Sequence, residues 1–110
     1  MRERSTVRVV PKNAITVVIE NQGLPLAYGV VANISDAGAC LWTNGQFSVG
    51  ETVALRLSFA REEQPFEASG HVVWGEPEAG GKETLRYGLQ WDQVSAAEVT
   101  RLKSLIQESS

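Results

Sequence analysis

One cysteine, Cys40, and one histidine, His71, are all that this 110-residue chain offers of the residue types that most often hold zinc. A lone cysteine excludes an internal disulfide and a zinc cage built from thiolates, and its apolar neighbours mark it as a small buried residue. His71 has no second histidine, cysteine pair or carboxylate at ligand spacing, so it reads as a strand residue and no metal is expected. No apolar run approaches the roughly 20 residues of a membrane-spanning helix. The charged N-terminus is not followed by an uninterrupted apolar stretch of signal-peptide type, and a cytoplasmic protein without membrane insertion is expected. There is no Ser/His/Asp arrangement that the chain pattern would bring together, and no Gly-rich phosphate loop with a lysine. Glu62, Glu63, Glu76 and Glu78 look like solvated loop charges rather than an acid/base pair. The chain reads as a non-enzyme without a cofactor. Net charge is −3, which argues against general nucleic-acid binding but leaves room for a local cationic pocket.

What is present is enough apolar material for one core: hydrophobic residues make up 43% and charged residues 21%, the balance of a single soluble domain. We expect one domain over residues 1–110, with a flexible arginine-bearing arm over 1–10, a β-barrel over 14–91 and a C-terminal helix over 95–107. The arm carries Arg2, Arg4 and Arg8. Its β-branched Thr6, Val7, Val9 and Val10, followed by Pro11, favour an extended segment over a helix. Position at the chain end alone would equally suit a disordered, charged terminus.

Strands follow in succession. Ala14 to Glu20 places Ile15, Val17 and Ile19 on one face, and Asn21-Gln22-Gly23 signals a turn into a second strand, Leu26 to Ile34, giving an antiparallel hairpin. Ala39 to Thr43 is short and is followed by the turn dipeptide Asn44-Gly45. Thr52 to Phe59 alternates strictly: Val53, Leu55, Leu57 and Phe59 face one way, which predicts one buried and one wet face. Phe66 to Trp74 puts Phe66, Ala68, Gly70, Val72 and Trp74 on one face, and Glu83 to Trp91 does the same for Leu85, Tyr87, Leu89 and Trp91. Ser95 with Glu98 forms a capping box, Val94 and Val99 take the staple positions, and Val99, Leu102, Leu105 and Ile106 make a narrow apolar stripe. Arg101, Lys103 and Glu108 fall on the far side of that helix. Short antiparallel strands with one amphipathic helix predict a small closed barrel with the helix lying on an end or flank, since closure removes exposed edges.

The hexapeptide Asn33-Ile34-Ser35-Asp36-Ala37-Gly38 joins two of these strands. Asn and Ser side chains hydrogen-bond their own backbone in turns, and Gly admits positive φ, so a tight turn is the plain reading. Asn33 and Ser35 would project from the same side if the strand persisted.

Together, Arg4-Ser5-Thr6-Val7-Arg8 as an Arg-x-x-x-Arg arm and Asn33 to Gly38 as an (Asp/Asn)-x-Ser-x-x-Gly turn resemble the motif pair of PilZ domains. The resemblance extends over nearly the whole chain, through Val49-Gly50-Glu51, His71-Val72-Val73-Trp74 and Tyr87-Gly88-Leu89-Gln90-Trp91. It implies an all-β fold, a six-stranded antiparallel barrel with one C-terminal helix, binding the bacterial second messenger cyclic di-GMP. Arg4 and Arg8 match the family's arginines, whose planar forks suit phosphate oxygens and guanine edges. Asn33 and Ser35 match the polar pair that contacts guanine, and Gly38 matches the glycine that lets the turn bend. Trp74 stands near where some members place an aromatic against a guanine, and reads equally as a core or rim tryptophan. Glu3 stands where some members carry a further arginine, which favours one ligand molecule over a stacked pair. The implied function is a receptor that clamps its arm on the ligand and signals to an unidentified protein effector, as a monomer or weak dimer. A PilZ-like adaptor acting by protein contacts alone is the alternative, and a small nucleic-acid-binding barrel is disfavoured by charge.

Overall fold

A computed structural model describes residues 9–21, 23–60, 62–75, 85–92 and 94–109. Six strands precede a helix: β1 (Thr16–Asn21), β2 (Leu24–Ile34), β3 (Gly38–Thr43), β4 (Thr52–Ser58), β5 (Phe66–Gly75), β6 (Leu85–Trp91) and α1 (Ala96–Ser109). They close into an antiparallel barrel in the order β1-β2-β3-β6-β5-β4, sealed by the pairing of β1 with β4. The topology leaves no strand edge among the six open to pairing with another chain.

The alternations read from the sequence decide which face goes inward. Ile15, Val17 and Ile19, then Val53, Leu55, Leu57 and Phe59, then Leu85, Tyr87, Leu89 and Trp91 are all buried in one core cluster, while Thr52, Ala54, Arg56 and Ser58 are exposed. The β1–β2 connection is tight: Asn21 pairs with Leu24, and Gly23 takes φ 83°, a left-handed conformation that favours glycine. The hairpin therefore begins at Leu24, two residues before the expected start.

Residues Leu102, Leu105 and Ile106 of α1 join the barrel core, so the helix covers the barrel with its apolar stripe. The capping box forms as its spacing predicts: Glu98 N–H donates to Ser95 Oγ at 3.2 Å and Ser95 N–H donates to Glu98 Oε1 at 3.2 Å. Arg101 departs from its expected place on the solvent side. Its guanidinium donates to the carbonyls of Gln64 (2.8 Å) and Pro65 (3.3 Å) and sits 5.9 Å from the Phe66 ring centre, because a long side chain beside the stripe can lay its stem along the barrel.

Trp74 is the second departure. The register of β5 against β6 shifts between Val72 and Trp74. A bulge inserts an extra residue and reverses the facing of everything after it. Val72 is buried as predicted, but Trp74 points outward and is 43% exposed.

Candidate functional site

The hexapeptide turn is held from three sides. Val9 forms an antiparallel bridge with Ile34, donating to its carbonyl at 2.8 Å and accepting its N–H at 2.9 Å. Trp91, the last residue of β6, donates twice: its backbone N–H to the Ala37 carbonyl (2.9 Å) and its indole N–H to the Ser35 carbonyl (3.1 Å). Lys103 of α1 places Nζ 3.6 Å from Asp36 Oδ2. Arm root, barrel wall and helix thus meet on six consecutive residues.

Inside the turn, Ser35 N–H donates to the Gly38 carbonyl at 2.8 Å. The Ser35 hydroxyl accepts the Ala37 N–H at 3.2 Å and donates to the Gly38 carbonyl at 3.4 Å. The residue is 1% exposed. Ser35 therefore builds the turn from within and does not share an open face with Asn33, because the strand does not persist through it. Gly38 also departs from expectation. It does not adopt positive φ. A Cβ there would lie 2.0 Å from the Leu89 carbonyl oxygen, so glycine is needed for the close approach of β3 to β6 rather than for a bend.

Asn33 opens a row across four strands. It is half-buried and pairs with Cys40, which pairs with Gly88, which pairs with Trp74. Cys40 is buried, as its neighbours suggested. Trp74 lies against Gly88 so closely that an added Cβ would sit 2.1 Å from the indole Nε1. The next row runs Val30, Trp42, Arg86. The Arg86 guanidinium carbon is 5.2 Å from the Trp42 ring centre and 5.7 Å from that of Trp74, so a cation stands between two indoles. On the other side of the Asn33 row, Gly38 pairs with Gln90 and Gln90 with His71. His71 Nδ1 lies 2.8 Å from Asp92 Oδ1, fastening β5 to the chain after β6.

Of the residues expected to bind, Asn33 and Trp74 share one outer row, Ser35 and Gly38 shape the turn beneath it, and Arg4 and Arg8 lie outside the described residues. Arg86, Trp42, Gly88 and Trp91 were not singled out from the sequence. The β3–β6 pairing that assembles the first two has no local signature. Gly88 did carry a signal, an outward glycine within an alternating strand, which marks close approach of another group. An arginine framed by indoles beside an amide suits a ligand with flat heteroaromatic rings and negative charge.

The PilZ domain family model matches residues 2–108. The chain belongs to the PilZ domain family. In fold this PilZ domain is similar to the PilZ domain with c-di-GMP of YcgR from Escherichia coli: TM-score 0.78, 12% identity, 98% of this chain and 92% of that one. It is similar as well to the Bacillus subtilis inhibitor of motility MotI/DgrA, with TM-score 0.70 and 20% identity over 99% of this chain and 50% of that one. A third similar fold is the PilZ domain of CeSA from a cellulose-synthesizing bacterium, with TM-score 0.62 and 16% identity over 93% and 96% of the two chains. The chain spans about half the length of MotI/DgrA and 46% of a longer YcgR structure in complex with c-di-GMP. No curated protein matches the sequence.

Proposed function

We propose that this PilZ domain is a cytoplasmic cyclic di-GMP receptor, a binding module rather than an enzyme, whose N-terminal arm closes on the ligand and whose bound state is read by a protein partner. The observation that carries the reading is the Val9–Ile34 bridge. It ties Val9, the residue that follows Arg8 in the sequence, to the strand end that opens the hexapeptide turn. The PilZ domain of YcgR, which holds c-di-GMP, shares this fold.

Chemistry fits the residues to the ligand. Cyclic di-GMP presents two phosphodiester charges and two guanines. Arg4 and Arg8 supply forked donors for phosphate oxygens and guanine edges. Asn33 offers both an acceptor and a donor to a guanine edge. Trp74 offers an aromatic surface to a base, and Arg86 adds a cation beside it. Because Ser35 is spent within the turn, its role here is to fix the position of Asn33 rather than to touch guanine.

The partner half of the reading draws on the outer face of β2. Leu24, Leu26, Tyr28 and Val30 are exposed at alternate positions, an apolar stripe along one strand.

Isothermal titration calorimetry with cyclic di-GMP, using GTP and cyclic di-AMP as controls, tests the receptor. Selective binding is expected, with one ligand per chain because Glu3 precedes the arginine pair. Absence of heat together with absence of a thermal shift would replace the receptor with the adaptor reading.

A further inference from the structure

Asp36 is the one charged residue of the hexapeptide turn, and its sign is wrong for an anionic ligand. It stands three residues from Asn33, a span of at most about 10 Å of extended chain, comparable to the Debye length of about 8 Å at physiological salt. A ligand with two phosphodiester charges docked at Asn33 would therefore meet repulsion from Asp36 that salt screens only in part, and least at low ionic strength. The helix supplies the countercharge: Lys103 Nζ is 3.6 Å from Asp36 Oδ2.

The placement of Lys103 does not depend on that ion pair. Its neighbour Leu102 is fully buried in the barrel core, Leu105 and Ile106 anchor the following turn, and Arg101 is bound to two backbone carbonyls of the β4–β5 connection. Lys103 and Asp36 side chains are 63% and 31% exposed, and a pair this open adds little to the stability of a fold. Its larger consequence is for the electrostatic field over the turn.

We infer that Lys103 of the C-terminal helix is a positioning residue of the anion site: it neutralises Asp36 and so allows the turn to accept a doubly charged ligand. The inference rests on the cyclic di-GMP reading above. It also links ligand affinity to helix docking. A partner or modification that draws α1 away from the turn unmasks Asp36 and weakens binding, and by linkage the bound ligand holds α1 in place.

A mutant cycle decides it: wild type, Lys103→Met, Asp36→Asn and the double variant, each titrated with cyclic di-GMP at low and high salt. Lys103→Met weakens binding about threefold to tenfold at low salt, the effect of one uncovered charge on two phosphodiesters at this range. Asp36→Asn binds more tightly than wild type, and adding Lys103→Met to it restores the charge balance and returns the affinity to about that of wild type. At high salt the four converge. Lys103→Glu, also on the surface, weakens binding more than Lys103→Met. A double variant that binds as weakly as Lys103→Met alone, or no loss from Lys103→Met while wild type binds, overturns the inference and leaves the receptor reading standing. Failure of wild type itself to bind overturns the receptor reading and this inference with it.

Discussion

Trp74 lies on the backbone of Gly88, with so little space between them that a methyl at position 88 would come within 2.1 Å of the indole Nε1. The glycine is the seat of the tryptophan, and the seated indole in turn stands 5.7 Å from the Arg86 guanidinium. Gly88→Ala is expected to leave the barrel closed but to drive Trp74 off its seat, changing tryptophan fluorescence. On the receptor reading, Gly88→Ala and Trp74→Ala each lose about tenfold or more in cyclic di-GMP affinity, the scale of one base–aromatic stack. Wild-type affinity in both would remove Trp74 from the ligand.

Arginine substitutions in the arm separate binding from folding. Arg4→Ala and Arg8→Ala are expected to keep the melting temperature of the wild type, since each removes a charged and not an apolar side chain. Each is expected to weaken cyclic di-GMP binding by about tenfold or more, the loss of charge-assisted hydrogen bonds. Calorimetry beside a thermal melt reads both quantities, and unchanged affinity in both variants would place the site away from the arm.

Asn33 asks which atoms face the ligand. A carboxylate keeps the acceptor and removes the amide donor. Asn33→Asp is therefore expected to retain binding, since guanine offers N–H donors along its edge. A sharp loss on titration would mean that the Asn33 amide donates to the ligand.

Trp91→Phe keeps most of the ring and deletes the indole N–H that satisfies the Ser35 carbonyl. A buried acceptor deprived of its partner costs about 1–3 kcal/mol, so the melting temperature falls by roughly 5–15 °C. With the turn loosened from β6, ligand affinity falls too, and the fall exceeds that of a stability-matched core variant such as Leu57→Ala, whose side chain is remote from the turn in sequence and strand order. Equal affinities in the two variants would confine Trp91 to a purely structural role.

Much of the architecture was legible because its rules are local. Strand pleating has period 2, so Val53, Leu55, Leu57 and Phe59 declared their common face without reference to a partner. Helical geometry places Ser95 opposite Glu98 at three residues' spacing, and the capping box follows from that alone. The hexapeptide announced a turn through residue types that stabilise turns.

Where local rules gave out, non-local packing decided. The alternation of β5 pointed Trp74 inward, and one bulge reversed it; nothing in the residue types between Val72 and Trp74 specifies that slip, which belongs to the fit of β5 on β6. Glycine at position 38 suggested a bend but serves the contact with Leu89, a constraint set by a strand some fifty residues on. Barrel closure determined that β3 would lie beside β6, and with it that Arg86 would stand between Trp42 and Trp74. The sequence by itself determined the strands, the helix and the turn, because backbone geometry and side-chain period act over a few residues. Tertiary structure alone decided which of them meet, because the pairing partners of a closed sheet are chosen by shape and burial across the whole chain.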